Sequence, residues 1–448
     1  MERFIAHAPI PVMAQALLER VLRDERLDAC FENVAKKQYT RTLLFSTLFD
    51  LMALVVTNVF PSINAGYKAR KADIGVSITA VYDKLNGLET GVAAALVKDT
   101  AVELREIITE LNAVREPLLP GYRVKMLDGN CIEATEHRLE VLRHTAAGAL
   151  PGKSLVVYDP ALEMAIDVIP CEDGHAQERS LLGEVTKIVD PDDVFIMDRN
   201  FCVRKFLFDI ADRDAYFVVR HHANFNYEVT EEEQSSNEVE TGQVCEHDIV
   251  VIDNNGRKRK WRRITVHLNK KTRDGDDKIT LLTNLPKSAA TAEMIANLYR
   301  KRWSIETMFQ ELEAHLHSEI NALGYPRAAL FGFCVSLMAY NVLAVVKAAI
   351  RSVHDEETVN EVSGYYLAAE LERTYEGMNV AIIPEEWEVF KTMTLSVFVE
   401  TLLKMARNVQ LEKYKKNRRG PKKPRSPRKS SKKEPHASTA RLLVKKSP

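Results

Sequence analysis

Three acidic residues stand where chemistry is easiest to do. Val124-Lys-Met-Leu-Asp128-Gly-Asn and Val194-Phe-Ile-Met-Asp198-Arg-Asn-Phe each run apolar and then stop at an aspartate followed by a turn-prone or polar residue. A carboxylate at the end of a buried strand is held on a rigid element yet reaches the open edge of a sheet, where a metal or substrate can approach. Taken singly, Asp-Gly after a strand is usually a turn, so the pair gains meaning from a third acid. That acid is Glu306, in Leu298-Tyr299-Arg-Lys-Arg302-Trp-Ser-Ile-Glu306. On a helix, spacings of three and four residues put the Tyr299 ring, the Arg302 guanidinium and the Glu306 carboxylate on one face. The same spacing also makes an ordinary Arg302 to Glu306 surface ion pair.

The elements that must position these acids follow from hydrophobic period. Ala14 to Leu22, Thr40 to Val59, Ile78 to Leu88 and Val92 to Val114 carry apolar residues at three- and four-residue spacing, which predicts a helical segment over 1–118. Ser77 caps one of these helices after Lys68, Arg70 and Lys71, so it reads either as a helix docking on DNA or as one more helix of a bundle. After Pro117 and Pro120, strand-like runs at Val124 to Leu127, Ser154 to Tyr158, Met164 to Ile169, Val194 to Met197 and Tyr216 to Val219 alternate with helical Glu178 to Val189 and Cys202 to Ala211. That order indicates an α/β layer fold. From 221 to 277 the helical period disappears, and Asp248 to Asp253, Asn254-Asn255-Gly256 and Trp261 to Leu268 form a hairpin signal. Asp274-Gly275 adds a turn before the strand Ile279 to Asn284. Helices resume at Thr291, break at Pro326, and return over 359–376 and 396–412.

Composition bounds the function classes. The chain has 448 residues, 46% hydrophobic and 28% charged, enough for two or three domains with full cores. Its formal charge of −1 sums two unlike parts: residues 413–448 carry a net charge of +14 and the rest −15. An acidic body does not coat itself in nucleic acid, so such contacts would come from local basic patches and from the tail. The tail lacks a core-forming pattern and is expected to be disordered over 413–448. The 6 cysteines show no CxxC or CxxH spacing, which suggests neither a disulfide framework nor a zinc knuckle and suits a reducing cytosol. Ala328 to Val346 holds no charge and is long enough to span a bilayer, yet Ser336, Tyr340 and Asn341 favour a buried core helix.

With these residues in view, the chain resembles the DDE transposases of bacterial insertion sequences, in the IS-four and Tn-five group. Members carry Asp-Gly at the first strand, Asp-Arg and an aromatic after the fourth, a β-strand insertion, and a helix bearing Tyr, two residues, Arg, three residues, Glu, six residues, Lys. Tyr299, Arg302 and Glu306 match that spacing, and Ala339-Tyr-Asn341 looks like the helix that follows. The signature Lys falls on Glu313, a departure that sets a like charge where a phosphate contact is expected.

The resemblance covers roughly 121–347 and implies an RNase H-like mixed-sheet catalytic core interrupted by a β-rich insertion, with helical N-terminal and C-terminal segments. The corresponding boundaries are 1–118 for the DNA-binding helices, 119–220 and 278–350 for the core, 221–277 for the insertion, 351–412 for C-terminal helices and 413–448 for the basic tail. It implies Asp128, Asp198 and Glu306 as catalytic residues and ligands of Mg²⁺, with Mn²⁺ as a substitute, in a two-metal phosphoryl transfer. Tyr299 and Arg302 would contact the DNA end. The implied partners are double-stranded DNA at element ends and target, and a second copy of the chain in the synapse, with no membrane. The expected location is the cytoplasm, at the nucleoid.

Further cations fall where DNA would need them. Arg257, Lys258, Arg259, Lys260, Arg262 and Arg263 flank Trp261 on the predicted hairpin, suiting backbone contacts with a ring to stack on a displaced base. A solvated edge strand guarded by charge has the same composition. Arg199 and Arg220 are phosphate candidates or ion-pair partners. Two rivals remain at this stage: a nuclease of the same core that cuts without joining, and an inactive DNA-binding derivative motivated by Glu313.

Overall fold

The computed structural model describes residues 1–448 except 37–41, 135–138, 144–147, 231–233, 273–274, 417–436 and 447–448. The described residues form a mixed eleven-stranded sheet flanked by helices. The strands are β1 (Arg123–Ala134), β2 (Ala149–Asp159), β3 (Met164–Cys171), β4 (Asp193–Met197), β5 (Tyr216–Arg220), β6 (Glu228–Val229), β7 (Gln234–Val239), β8 (Gly242–Ile252), β9 (Lys258–Leu268), β10 (Lys278–Thr283) and β11 (Ala437–Ser438). β3, β2 and β1 are consecutive antiparallel neighbours, and β1, β4 and β5 run parallel. β10 then pairs antiparallel with β5, and β9 and β8 follow. The hairpin predicted around Asn254-Asn255-Gly256 is therefore real, with Gly256 at φ 82, and its strands extend the same sheet that holds β1 and β4.

Helices cover the sheet. Thr90–Glu110 packs its apolar stripe, including Leu96, Ala101, Leu104 and Ile108, against β3 and against the long helix Pro326–Arg351. That long helix contains the uncharged run Ala328 to Val346, and it is buried against helices Phe45–Val56 and Thr90–Glu110 and strands β2 and β3. Its polar residues are satisfied internally: Asn341, fully buried, accepts from the Ala165 N–H at 2.9 Å and donates to the Ala165 carbonyl at 2.7 Å. Asn341 thus supplies hydrogen bonds to a residue of β3, as an unpaired buried amide would be costly.

The terminal helices share one layer. Gly364–Ala381, Pro384–Thr392 and Leu395–Arg407 all pack on Pro9–Val21, so the N-terminal and C-terminal helical segments meet. Residues 437–446, part of the tail expected to lack structure, form β11, parallel to β2, and the helix Thr439–Lys446. Ser438 Oγ and Arg441 Nε donate to Asp173 at 2.6 and 2.8 Å, contacts too distant in sequence to be read from composition. The remainder of the tail, 417–436 and 447–448, and the predicted start of one helix at Thr40 lie outside the described residues.

A cleft of about 720 Å³ lies between these terminal helices, lined by Asp50, Asp24, Glu19, Arg70, Tyr375 and Trp387 among others. Burial pushes the Asp50 carboxyl up to about 6, Asp24, Glu19 and Asp28 push the same way, and Arg70 opposes them. A folded pKa above the unfolded one favours the protonated acid, so the contribution is complete at low pH and lost as pH rises through about 6. Asp50→Asn is expected to raise the unfolding free energy at pH 8 by on the order of 2 kcal/mol and to change it little at pH 4. Denaturant unfolding at the two pH values checks this, and an equal effect at both would refute it.

Candidate active site

The sheet register brings the two aspartates together. β1 and β4 pair in parallel from Arg123↔Asp193 to Leu127↔Met197, so the next residues are Asp128, on β1, and Asp198, just past the end of β4. β1 does not stop there as the Asp128-Gly129 pair suggested. It continues to Ala134 by pairing with β2, Asp128 opposite Val156 and Ile132 opposite Gly152, because that neighbour runs on where β4 ends. Gly129 is accordingly a strand residue, and a Cβ there would stand 2.3 Å from Glu178 Oε1. That oxygen is the end of a flexible, partly exposed side chain that can move aside, so the structure shows Gly129 in a strand and no turn, with no steric demand for glycine.

A buried ion cluster secures this register. Asp193, fully buried, accepts from Arg123 Nε at 2.8 Å and from Lys125 Nζ at 2.5 Å, both on β1. Asp198 itself begins the short turn Arg199–Phe201, where its carbonyl accepts from the Phe201 N–H at 3.1 Å.

The third acid arrives on the helix side. The segment expected as one helix is two, Ala292–Arg300 and Trp303–His315, joined at Lys301 and Arg302. Arg302 Nη1 donates to Asp128 Oδ2 at 2.9 Å and Nη2 donates to Glu306 Oε1. Its guanidinium carbon lies 6.0 Å from the Tyr299 ring centroid and 5.8 Å from that of Trp303. Arg302 is 9% exposed, so the Arg302 to Glu306 contact is no surface pair, and the bond from Arg302 to Asp128 ties the helix to β1. Trp303, 62% exposed beside this site, escaped the sequence reading, although an Arg-Trp pair next to the acid was visible.

The electrostatics are those of crowded acids around one cation. Burial pushes the Asp128 carboxyl up to about 6; Arg302 and the Gly129 N–H pull it down, and Glu306 and Asp198 push it up. Burial alone would weaken the Arg302 charge, but Tyr299, Asp128 and Glu306 raise its pKa. Burial also pushes the Tyr299 hydroxyl up to about 12. The carboxylates are the hard oxygen donors that Mg²⁺ or Mn²⁺ takes. Among the described residues no three acids, histidines or cysteines stand arranged to hold a metal, and Arg302 lies between Asp128 and Glu306. By donor chemistry the residues fit a divalent cation, and the charge they hold in this arrangement is the guanidinium.

The remaining candidates scatter. Arg199 is exposed next to Asp198. Arg220 donates to Asp276 at 2.7 Å. On the hairpin, Trp261 corrects the expectation of a ring free to stack on a base. It is 3% exposed and packs against Phe208 at 5.1 Å and Phe217 at 4.9 Å. Arg262 is buried too, bonded to Glu246 and to the carbonyls of Leu285 and Ala290, which braces the approach to the Tyr299 helix. Arg257 and Arg259 pair with Asp212, and Arg263 with Tyr227 and His247. Lys258 and Lys260 remain exposed without an ion-pair partner among the described residues. Trp261→Ala is expected to cost about 3–5 kcal/mol of stability, the range for a buried Trp truncated in a core. Urea unfolding checks it, and a loss below about 1 kcal/mol would mean the indole is not packed as described. Glu313 is exposed near Glu319, whose carboxyl is pushed up to about 7 by burial and then by Glu313 and Glu133.

Fold and site together define a mixed α/β domain with an acidic centre where β4 ends beside the middle of the parallel strand β1. Residues 120–342 match the family model described as "Transposase DDE domain", so the chain carries a DDE transposase domain. A curated relative from Sinorhizobium fredii (strain NBRC 101917 / NGR234), named "Putative transposase y4zB", is 29% identical over 199 residues, which is 43% of this chain and 52% of the relative. The chain thus spans about half the length of that relative. Among solved structures, the cryo-EM structure of the piggyBac transposase synaptic complex with hairpin DNA has a TM-score of 0.37 and 12% identity, covering 87% of this chain and 86% of the other.

Proposed function

We propose that this protein is a DNA transposase of the IS-four and Tn-five type, with an RNase H-like core that cleaves DNA at element ends and joins the freed ends to target DNA. The observation that carries the reading is the β1 to β4 register, which sets Asp128 beside Asp198, with Arg302 linking Asp128 to Glu306. Asp128, Asp198 and Glu306 would hold Mg²⁺ or Mn²⁺, which when bound activates the attacking oxygen and stabilises the leaving one in phosphoryl transfer. The chain's own part is positional. Two strands fix the aspartates, the helix Trp303–His315 delivers Glu306, and Arg302 offers a planar fork suited to a phosphate. Exposed Arg199, Lys258 and Lys260 would add backbone contacts. Pairing two DNA ends calls for a second copy of the chain, and the work would take place at the nucleoid.

The test is a cleavage assay on DNA carrying the sequences that flank the gene, in Mg²⁺, Mn²⁺ or Ca²⁺. Cleavage at element ends in Mg²⁺ or Mn²⁺ but not Ca²⁺, followed by joining of precut ends, is the expected result. Cleavage without joining would point to a nuclease of the same core. A second reading, an inactive DNA-binding derivative, draws on the acidic neighbourhood of Glu313, and it predicts end binding with no cleavage in any metal.

A further inference from the structure

We infer that Arg302 is a built-in stand-in for the divalent cation, released by a DNA phosphate, so that DNA and metal bind this protein with positive coupling. The inference rests on the reading of Asp128, Asp198 and Glu306 as the metal-holding acids. One guanidinium joins two of these acids, Asp128 Oδ2 at 2.9 Å and Glu306 Oε1. It is 9% exposed and is flanked by the Tyr299 and Trp303 rings. Carboxylates bridged in this way present their oxygens to Arg302, and a divalent cation must compete with a charge already in place.

Arg302 is not fully committed to the acids. It sits at the junction of two helices, its buried Nε has no hydrogen-bond partner, and the neighbouring Trp303 is 62% exposed. A phosphate oxygen pair matches the guanidinium fork as well as a carboxylate does. Once a phosphate holds Arg302, Asp128 and Glu306 lose their counter-charge and three crowded acids favour a cation. Conversely, a cation on the acids frees Arg302 for the phosphate. Linkage makes the two effects equal in size.

The experiment is calorimetric titration of the full-length protein with Ca²⁺, with and without a duplex carrying the sequences that flank the gene. It compares wild type, Arg302→Gln, Arg302→Lys and Asp198→Ala, each checked for an intact unfolding transition. Without DNA, Arg302→Gln is expected to bind Ca²⁺ about tenfold more tightly than wild type, within the usual range of site-to-site coupling. DNA should tighten Ca²⁺ binding to wild type by a similar factor and leave Arg302→Gln unchanged. Arg302→Lys should fall between them, since an ammonium keeps the charge but lacks the planar fork that holds both acids and a phosphate in fixed geometry. If Arg302→Gln binds Ca²⁺ no more tightly than wild type while Asp198→Ala loses binding, the inference fails and the metal-site reading stands. If Asp198→Ala binds Ca²⁺ as wild type does, the cation is not at these acids, and the inference falls together with that reading.

Discussion

Asp198→Ala is expected to lower metal-dependent cleavage at element ends by at least about a thousandfold, the equivalent of roughly 4 kcal/mol of barrier. The residue lies just past Met197, the last β4 residue paired with β1, and its carboxylate belongs to the group that crowds Asp128. Phosphoryl transfer leaves the protein little to do beyond positioning and charge, so losing one of three oxygen-donor side chains removes most of what it contributes. Asp198 makes no side-chain hydrogen bond among the described residues, so the folded state has little to lose. Duplex binding and the unfolding midpoint should therefore stay close to wild type. Cleavage assays beside a thermal melt check the pair of outcomes, and retained cleavage would remove Asp198 from the site.

Asp193→Ala is expected to act the other way, through stability. Asp193 is fully buried at the start of β4 and takes hydrogen bonds from Arg123 and Lys125 on β1, with Lys125 itself 4% exposed. Burial lowers the Lys125 pKa despite its contacts with Asp193, so the pair already strains against desolvation. Removing the acid leaves the buried Lys125 with only the exposed Asp190, 3.9 Å away, as counter-charge, and breaking a buried pair typically costs about 3–5 kcal/mol. The same change loosens the strand pair on which Asp128 and Asp198 stand, so cleavage should fall along with the unfolding midpoint. A double change of Asp193 and Lys125 to Asn and Met should recover part of the stability, because no buried charge is then orphaned. If the single variant unfolds as wild type does, the cluster is not holding the register.

How much of this was legible beforehand differs from residue to residue. The helical period over Val92 to Val114 and the apolar run Ala328 to Val346 correspond to the helices Thr90–Glu110 and Pro326–Arg351, since a buried helix face writes its spacing directly into the chain. Asn254-Asn255-Gly256 marked the hairpin for the same local reason: Gly256 adopts φ 82. Trp261 went the other way. A ring amid six cations looked exposed, but strand alternation does not say which face meets the core, and Phe208 and Phe217 are far off in sequence. Likewise Arg262 looked free until Glu246 and the carbonyls of Leu285 and Ala290 came to meet it.

The sequence by itself determined the acids, their spacing and the elements that bear them, because carboxylate identity and hydrophobic period are properties of neighbouring residues. The tertiary structure alone decided that β1 runs past Asp128, that Asp193 locks β1 to β4, and that Arg302 closes on Asp128 from 174 positions away. Those outcomes depend on which strand lies beside which and which charges are buried together, and desolvation is a property of the assembled core that local sequence does not carry.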